Sequence, residues 1–244
     1  MKLLNTSSLL RKLGYDFHEF IQDPVIPDLS EKRFSDLIPE IANSERGRNI
    51  SEARLYSHQL KTLEGLRRGS NVVLISGSGS GKTEAWFLYT ALERKKTLAI
   101  YPTLALANDQ IERLSEYSNA IGMKSDYLDA SRNRELISRF KSGLRKYVSE
   151  LDLLVTNPAF LMHEIKKMVS GRSNLQLFIQ DLDLLVIDEF DFYSPREISL
   201  LLSMSRIMEE LSDFQIAILT ATLGNPEDLK RTLTEINGKN TIVI

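Results

Sequence analysis

Apolar and polar positions along the chain fall into two rhythms. Short apolar runs occur at residues 72–75 (VVLI), 97–101 (TLAIY), 126–128, 152–156 (DLLVT), 182–188 (LDLLVID), 215–220 (QIAILT) and 241–244 (TIVI). Runs of this kind suit strands buried on both faces. Stretches with helical periodicity separate most of them, which predicts right-handed strand-helix-strand crossovers. The expected fold is α/β, a mainly parallel sheet with helices on both faces, and functional residues belong at the carboxyl ends of its strands.

Ahead of the first run, Leu9, Leu10, Leu13, Phe17, Phe20 and Ile21 have near-helical spacing; a turn is predicted at residues 24–27 and a second helix near 30–42. Residues 1–50 thus read as a small helical accessory region whose default role is packing, and 51–244 as the main domain. The polar stretch 43–54 (NSERGRNISEAR) predicts a connector. Leu60, Leu63 and Leu66 then share one helical face, and Arg67, Arg68 and Gly69 suit that helix's C-terminus.

Composition narrows this little. With 244 residues, 42% hydrophobic and 26% charged, the chain has material for one large domain plus an appendage. Zero cysteines exclude disulfides and cysteine-based zinc or iron-sulfur sites and suit a reducing interior. His18, His58 and His163 have no metal-ligand spacing; each is expected to be a surface or hydrogen-bonded histidine. No signal peptide pattern and no long apolar span occurs, so a soluble, cytoplasmic protein without a membrane partner is expected. A net charge of −2 argues against a broadly basic nucleic-acid binder and leaves room for a local phosphate-contacting groove.

Candidate chemistry concentrates at strand ends. After 72–75 comes the Gly/Ser loop SGSGSGKTE, in which Gly77, Gly79 and Gly81 permit a tight curl before a helix. Amides of such a loop point at phosphate oxygens, Lys82 reaches the terminal phosphates and the Thr83 hydroxyl can ligate Mg²⁺. Asp188 and Glu189 emerge together from the strand at 182–188, where one carboxylate can hold the metal and the other polarise an attacking water. Thr220 and Thr222 close the strand at 215–220, with Asp191 a candidate acceptor. Tyr101-Pro102-Thr103 and Thr156-Asn157-Pro158 share one layout, a strand ending in short polar groups and proline before a helix. Helix starts of that kind either cap themselves or bind nucleic-acid phosphates. Gln59 offers both a donor and an acceptor, as reading an adenine edge requires. The basic run 132–146 fits a phosphate track and a solvated helix face equally.

In order, LYSHQ, SGSGSGKTE, YPTLALANDQ, TNPAFL, DEFD and TATLGNPEDL resemble the motifs of the first RecA-like domain of superfamily 2 helicases, in the DExD/H-box group, from about Leu55 to Ile244. The forms LYxHQ and TNP look closer to the DNA-translocating branches than to the RNA-directed ones; Ser76, Asp191 and the N-terminal region depart from the common pattern. The resemblance implies ATP and Mg²⁺ as cofactors, with Tyr56, Gln59, Ser78, Gly79, Ser80, Gly81, Lys82, Thr83 and Glu84 holding the nucleotide and Gln59 reading adenine. It implies that Thr83 and Asp188 serve the metal, and that Lys82, Asp188 and Glu189 carry catalysis with Glu189 as base. By the same resemblance, Asp191, Thr220 and Thr222 couple nucleotide state to strand binding, and Pro102, Thr103, Asn157 and Pro158 meet nucleic acid, DNA more than RNA. It further implies an ATP-dependent helicase that needs a second RecA-like domain, so the chain is expected to be a fragment that is nearly inactive as an ATP hydrolase by itself. A nucleotide-binding interaction module without turnover, an RNA-directed ATPase and a small-molecule kinase are the competing readings.

Overall fold

The computed structural model describes residues 6–16 and 28–244. Helix α1 (Thr6–Lys12) covers the start of the first predicted helix, whose positions Phe17, Phe20 and Ile21, like the turn at 24–27, lie outside the described residues. Where a second helix is predicted across 30–42, the chain is first extended. There β1 (Leu29–Arg33) pairs antiparallel with β2 (Arg54–Tyr56), and a short helix α2 (Phe34–Leu37) and a 3-10 turn (Pro39–Asn43) follow. The strand depends on a partner some twenty residues on, which local periodicity does not show. Pro39 ends α2 by pushing Ile38 out of the helical region, to φ −134° and ψ 77°.

The predicted connector also holds structure, because α3 (Glu45–Ser51) starts on a Ser44 Oγ that accepts the Gly47 N–H at 3.0 Å. Phe34, Ile38, Ile41 and Leu55 are buried in the same apolar cluster as Trp86 and Tyr117. Arg46 reaches Glu112 at 2.9 Å and Glu116 at 3.4 Å. Residues 28–56 are therefore packed onto the main body.

Every predicted strand of the main body is present: β3 (Asn71–Ile75), β4 (Thr97–Ile100), β5 (Ser125–Leu128), β6 (Leu153–Thr156), β7 (Leu184–Ile187), β8 (Gln215–Thr220) and β9 (Thr241–Val243). They form one parallel sheet in the order β5-β6-β4-β7-β8-β3-β9. Successive strand residues point to opposite faces. Val72, Leu74, Val155 and Val186 pack with α4 (Ser57–Arg67), α5 (Lys82–Glu93) and α6 (Leu104–Ala120). Val73, Leu154, Leu185 and Ile216 pack on the other side with α7 (Ala130–Phe140), α8 (Leu144–Ser149), α9 (Pro158–Met168), α10 (Gln176–Gln180), α11 (Pro195–Glu209) and α12 (Pro226–Asn237). Both faces are covered, which is why the five inner strands read as largely unbroken apolar runs, while the edge strands β5 and β9 are only partly buried. The order places β8 between β3 and β7, so the ends of these three strands lie side by side.

Candidate nucleotide and nucleic-acid sites

From Ile75 the chain turns through residues 76–81 into α5. Gly79 and Gly81 have φ of 76° and 75°, a conformation that glycine adopts without penalty. At Gly81 a Cβ would in addition sit 2.4 Å from Gln59 Nε2, so the loop could not keep its seat on α4. Lys82, Thr83 and Glu84 open α5 largely buried. The Lys82 ammonium donates to Gly77 O at 3.4 Å, curling the loop around its own cation. Ser78 at the loop tip is exposed, whereas the buried Ser80 Oγ has no partner among the described residues.

Asp188 and Glu189 follow β7 but are placed differently. Asp188 is 2% exposed; its Oδ1 accepts the Glu189 N–H at 2.8 Å and its Oδ2 the Thr83 hydroxyl at 3.3 Å. Burial outweighs the Glu189 amide and raises this carboxyl to about 6, the Glu189 charge adding to the rise. Glu189 itself is left-handed, at φ 50° and ψ 48°, a conformation that costs a non-glycine residue about 1–3 kcal/mol. The bend lets Asp188 stay against Thr83 while Glu189 lines the open cleft. Tyr101, at the end of β4, is buried near both Asp188 and Thr83; burial, then the Asp188 charge, hold its hydroxyl well above the usual range. That hydroxyl completes no well-formed hydrogen bond among the described residues.

The cleft over these groups has a volume of about 470 Å³. Gly79, Gly81, Lys82 and Glu189 form one side, and Phe34, Ile50, Ala53 and Arg54 form the other. The segment that the sequence offers only as packing thus supplies a wall of the site. Gln59 is 2% exposed, with Oε1 accepting the Tyr56 N–H at 2.9 Å and Nε2 donating to Gly81 O at 2.9 Å. Each end of the amide expected to read adenine has one protein partner, which leaves a second Nε2 hydrogen and a second Oε1 lone pair for a base.

Thr220 and Asp191 meet as the strand order requires. Thr220 Oγ1 lies 2.9 Å from Asp191 Oδ1 and 2.7 Å from Thr222 O, and the Ala221 N–H donates to the same Asp191 oxygen at 3.3 Å. Gln110 and Arg113 were not singled out as site residues. Arg113 pairs with Glu84 at 3.0 Å and donates to Gln110, whose Oε1 is 3.5 Å from Thr83 Oγ1. They lie a turn apart on α6, Gln110 as the last residue of the YPTLALANDQ segment and Arg113 beyond it, and the packing of α6 beside α5 brings them in.

A second cleft, of about 610 Å³, opens over β4, β5 and β6. Three helix starts converge on it, each capped by its own side chain: Thr103 accepts from Leu106 N at 3.2 Å, Asp129 from Arg132 N at 2.6 Å and Asn157 from Phe160 N at 3.0 Å. Pro102, Asn157 and Pro158 line it together with Arg134 and His163. The basic run is partly spent within the fold, because Arg132 pairs with Asp126 at 3.3 Å and Glu135 at 2.9 Å and Arg145 donates to Gly171 O. Among the described residues, no cluster of three metal-ligating side chains occurs and no helix is long and apolar enough to cross a membrane.

Comparison with known proteins agrees with this layout. An uncharacterized ATP-dependent helicase of Methanocaldococcus jannaschii is 28% identical over 197 residues, 74% of this chain and 27% of the relative. The uncharacterized ATP-dependent helicase YprA of Bacillus subtilis is 28% identical over 205 residues, 79% of this chain and 26% of its own. The chain therefore spans about a quarter of the length of these relatives. A crystal structure of the DUF1998 helicase MrfA bound to DNA and AMPPNP shares the fold, with a TM-score of 0.64 at 22% identity over 98% of this chain and 33% of that one. A family model described as DEAD/DEAH box helicase matches residues 56–229, the span from the LYSHQ segment to α12, and the chain belongs to that family.

Proposed function

We propose that this chain is the ATP-binding motor lobe of a superfamily 2 helicase or translocase that acts on nucleic acid, DNA in preference to RNA, and works with a second RecA-like lobe. The observation that carries this reading is the convergence of Lys82, Thr83 and Glu189 on one cleft, with Asp188 buried behind it against Thr83, from two strands separated by β8. Thr83 Oγ1 and Asp188 Oδ2, 3.3 Å apart, are hard oxygen donors of the kind that hold Mg²⁺ with few carboxylates and leave its other positions to phosphate and water. When bound there, Mg²⁺ supplies positive charge against phosphate oxygens.

The remaining roles belong to this chain's own groups. Lys82 leaves Gly77 O for the terminal phosphates, a charge-assisted contact stronger than the one it gives up. Glu189, lining the cleft, takes the proton of the attacking water, and Asp188 stays behind it as an acceptor for Thr83. Tyr56 and Gln59 border the base side, Ser78, Gly79, Ser80, Gly81 and Glu84 the phosphate side. Asp191, Thr220 and Thr222 form the link by which a change at Glu189 reaches β8. Pro102, Thr103, Asn157 and Pro158 receive the nucleic-acid backbone at helix starts whose amides and dipoles favour phosphate. The absence of cysteine fits a cytoplasmic setting.

DNA is preferred because the fold is shared with the helicase MrfA, whose crystal structure is a complex with DNA and AMPPNP. Calorimetry with Mg·ATP, and fluorescence anisotropy with single-stranded DNA and RNA of equal length, test both halves. Nucleotide binding that requires Mg²⁺ and DNA crosslinks near residues 102–103 and 157–158 are expected. Tighter binding of RNA than of DNA would reverse the preference, and a lack of Mg·ATP binding would overturn the reading.

A further inference from the structure

Two consecutive side chains in the first turn of α4 hold two consecutive carbonyls of the phosphate loop. His58 Nε2 lies 2.9 Å from Ser80 O, and Gln59 Nε2 lies 2.9 Å from Gly81 O. A carbonyl only accepts, so the imidazole donates from Nε2. A trans peptide is planar with its C=O and N–H opposed, and none of the described peptide bonds is cis. Holding Ser80 O toward α4 therefore turns the Gly81 N–H to the opposite side, and Gly81 O, which also accepts the Ala85 N–H at 3.1 Å, is held by α5 and Gln59 together, which orients the Lys82 N–H. These amides sit at the start of α5, where a helix leaves its donors unpaired.

The imidazole is itself held. Tyr56 stacks on it with ring centroids 5.3 Å apart and planes within 11°. It is half-buried, and desolvation, with Lys82 and Lys61 adding to it, lowers its pKa against the opposing Ser80 contact, so the neutral ring is favoured. The bland expectation for a hydrogen-bonded histidine accounts for the bond but not for its target, a backbone oxygen inside the loop that carries the chemistry.

We propose that His58 is a positioning residue of the phosphate loop, fixing the Ser80-Gly81 peptide so that the Gly81 N–H, beside the Lys82 N–H oriented through Gln59, donates to nucleotide phosphate. This rests on the nucleotide-binding reading above. His58 touches no phosphate; it acts through the peptide plane, and Gly81 is the residue whose lack of a side chain lets α4 come close enough.

The test compares His58→Phe, which keeps a ring for Tyr56 and loses the donor, with His58→Gln, whose amide restores one. Each is titrated by calorimetry with Mg·ATP and with Mg²⁺ and inorganic tripolyphosphate, which has no base and reads the loop alone. Loss of one positioned hydrogen bond predicts roughly five- to tenfold weaker binding of both probes to His58→Phe, with the melting temperature little changed. His58→Gln is expected to return to within about twofold of wild type. If His58→Phe does not fold, His58→Ala takes its place in the comparison. Wild-type affinity in the donor-less variant overturns the proposal, as does a loss seen with ATP but not with tripolyphosphate, or failure of His58→Gln to recover. Failure of the wild-type chain to bind Mg·ATP at all would instead remove the nucleotide reading and the proposal with it.

Discussion

The cleft over β3, β7 and β8 and the cleft over β4, β5 and β6 lie along the same edge of one sheet, yet their polar groups are held in different ways. In the first, Thr83 is tied to Asp188, Thr220 to Asp191 and Gln59 to Gly81, contacts that span from tens of residues to more than a hundred. Its buried acid has a raised pKa and its second acid a left-handed backbone. In the second, Thr103, Asp129 and Asn157 each satisfy an amide three residues on. A site with buried charge and a strained residue is suited to chemistry on a bound group. A site of separately capped helix starts, with exposed edges, is suited to receiving an extended polyanion whose position along the protein changes.

The predictions follow from this difference. The largest effect is expected at the strained acid: Glu189→Gln should keep the Mg·ATP affinity of this chain within about twofold, while in a protein that also carries the second lobe steady-state phosphate release falls roughly 10²- to 10⁴-fold. Unchanged turnover would remove Glu189 as the base and with it the chemical half of the comparison.

Asp188 gives a test of burial in the absence of metal. Its folded pKa, about 6, lies above the value of 3.8 usual for the group. The folded state therefore holds the proton more tightly, and stability from this group is present below about pH 4, falls as pH rises through 6, and is lost above it. In chelator, Asp188→Asn should stabilise the chain by up to ~3 kcal/mol at pH 8 and by little at pH 4. Equal effects at the two pH values, read by denaturant melts, would mean that the carboxylate is not paying for its burial.

Lys82→Ala should weaken Mg·ATP binding by ~2 kcal/mol, the loss of a charge-assisted contact, and leave the affinity for single-stranded DNA unchanged. A parallel loss of DNA binding would show that the two clefts are not separate in function. The smallest effect is expected at the second cleft: Asn157→Ala removes the cap of α9 and should cost about 1 kcal/mol of stability, with a drop in DNA affinity and none in nucleotide affinity.

The elements themselves were legible in sequence wherever the reason for them is local. Five apolar runs mark the five inner strands because a strand covered on both faces has no polar side to alternate; the edge strands β5 and β9 are only partly buried. Gly79, Gly81, Lys82 and Thr83 announce the phosphate loop because its backbone demands those residues in that order. The N-terminal segment departs from its local pattern for the complementary reason: β1 exists because β2 lies beside it, and the stretch 43–54, with the composition of a connector, holds the helix α3 at residues 45–51.

What the chain alone determined is the set of strands, the loop and the pair of acids, each fixed by a short apolar run or by the needs of a few neighbouring residues. The separation of Asp188 from Glu189 into a buried and an open carboxylate was decided only in three dimensions, as was the entry of Phe34, Gln110 and Arg113 into the nucleotide cleft. So was the grip of His58 on Ser80. Burial and hydrogen-bond geometry depend on which helix packs against which strand end, and a one-dimensional pattern records which face of an element is apolar without recording what that face meets.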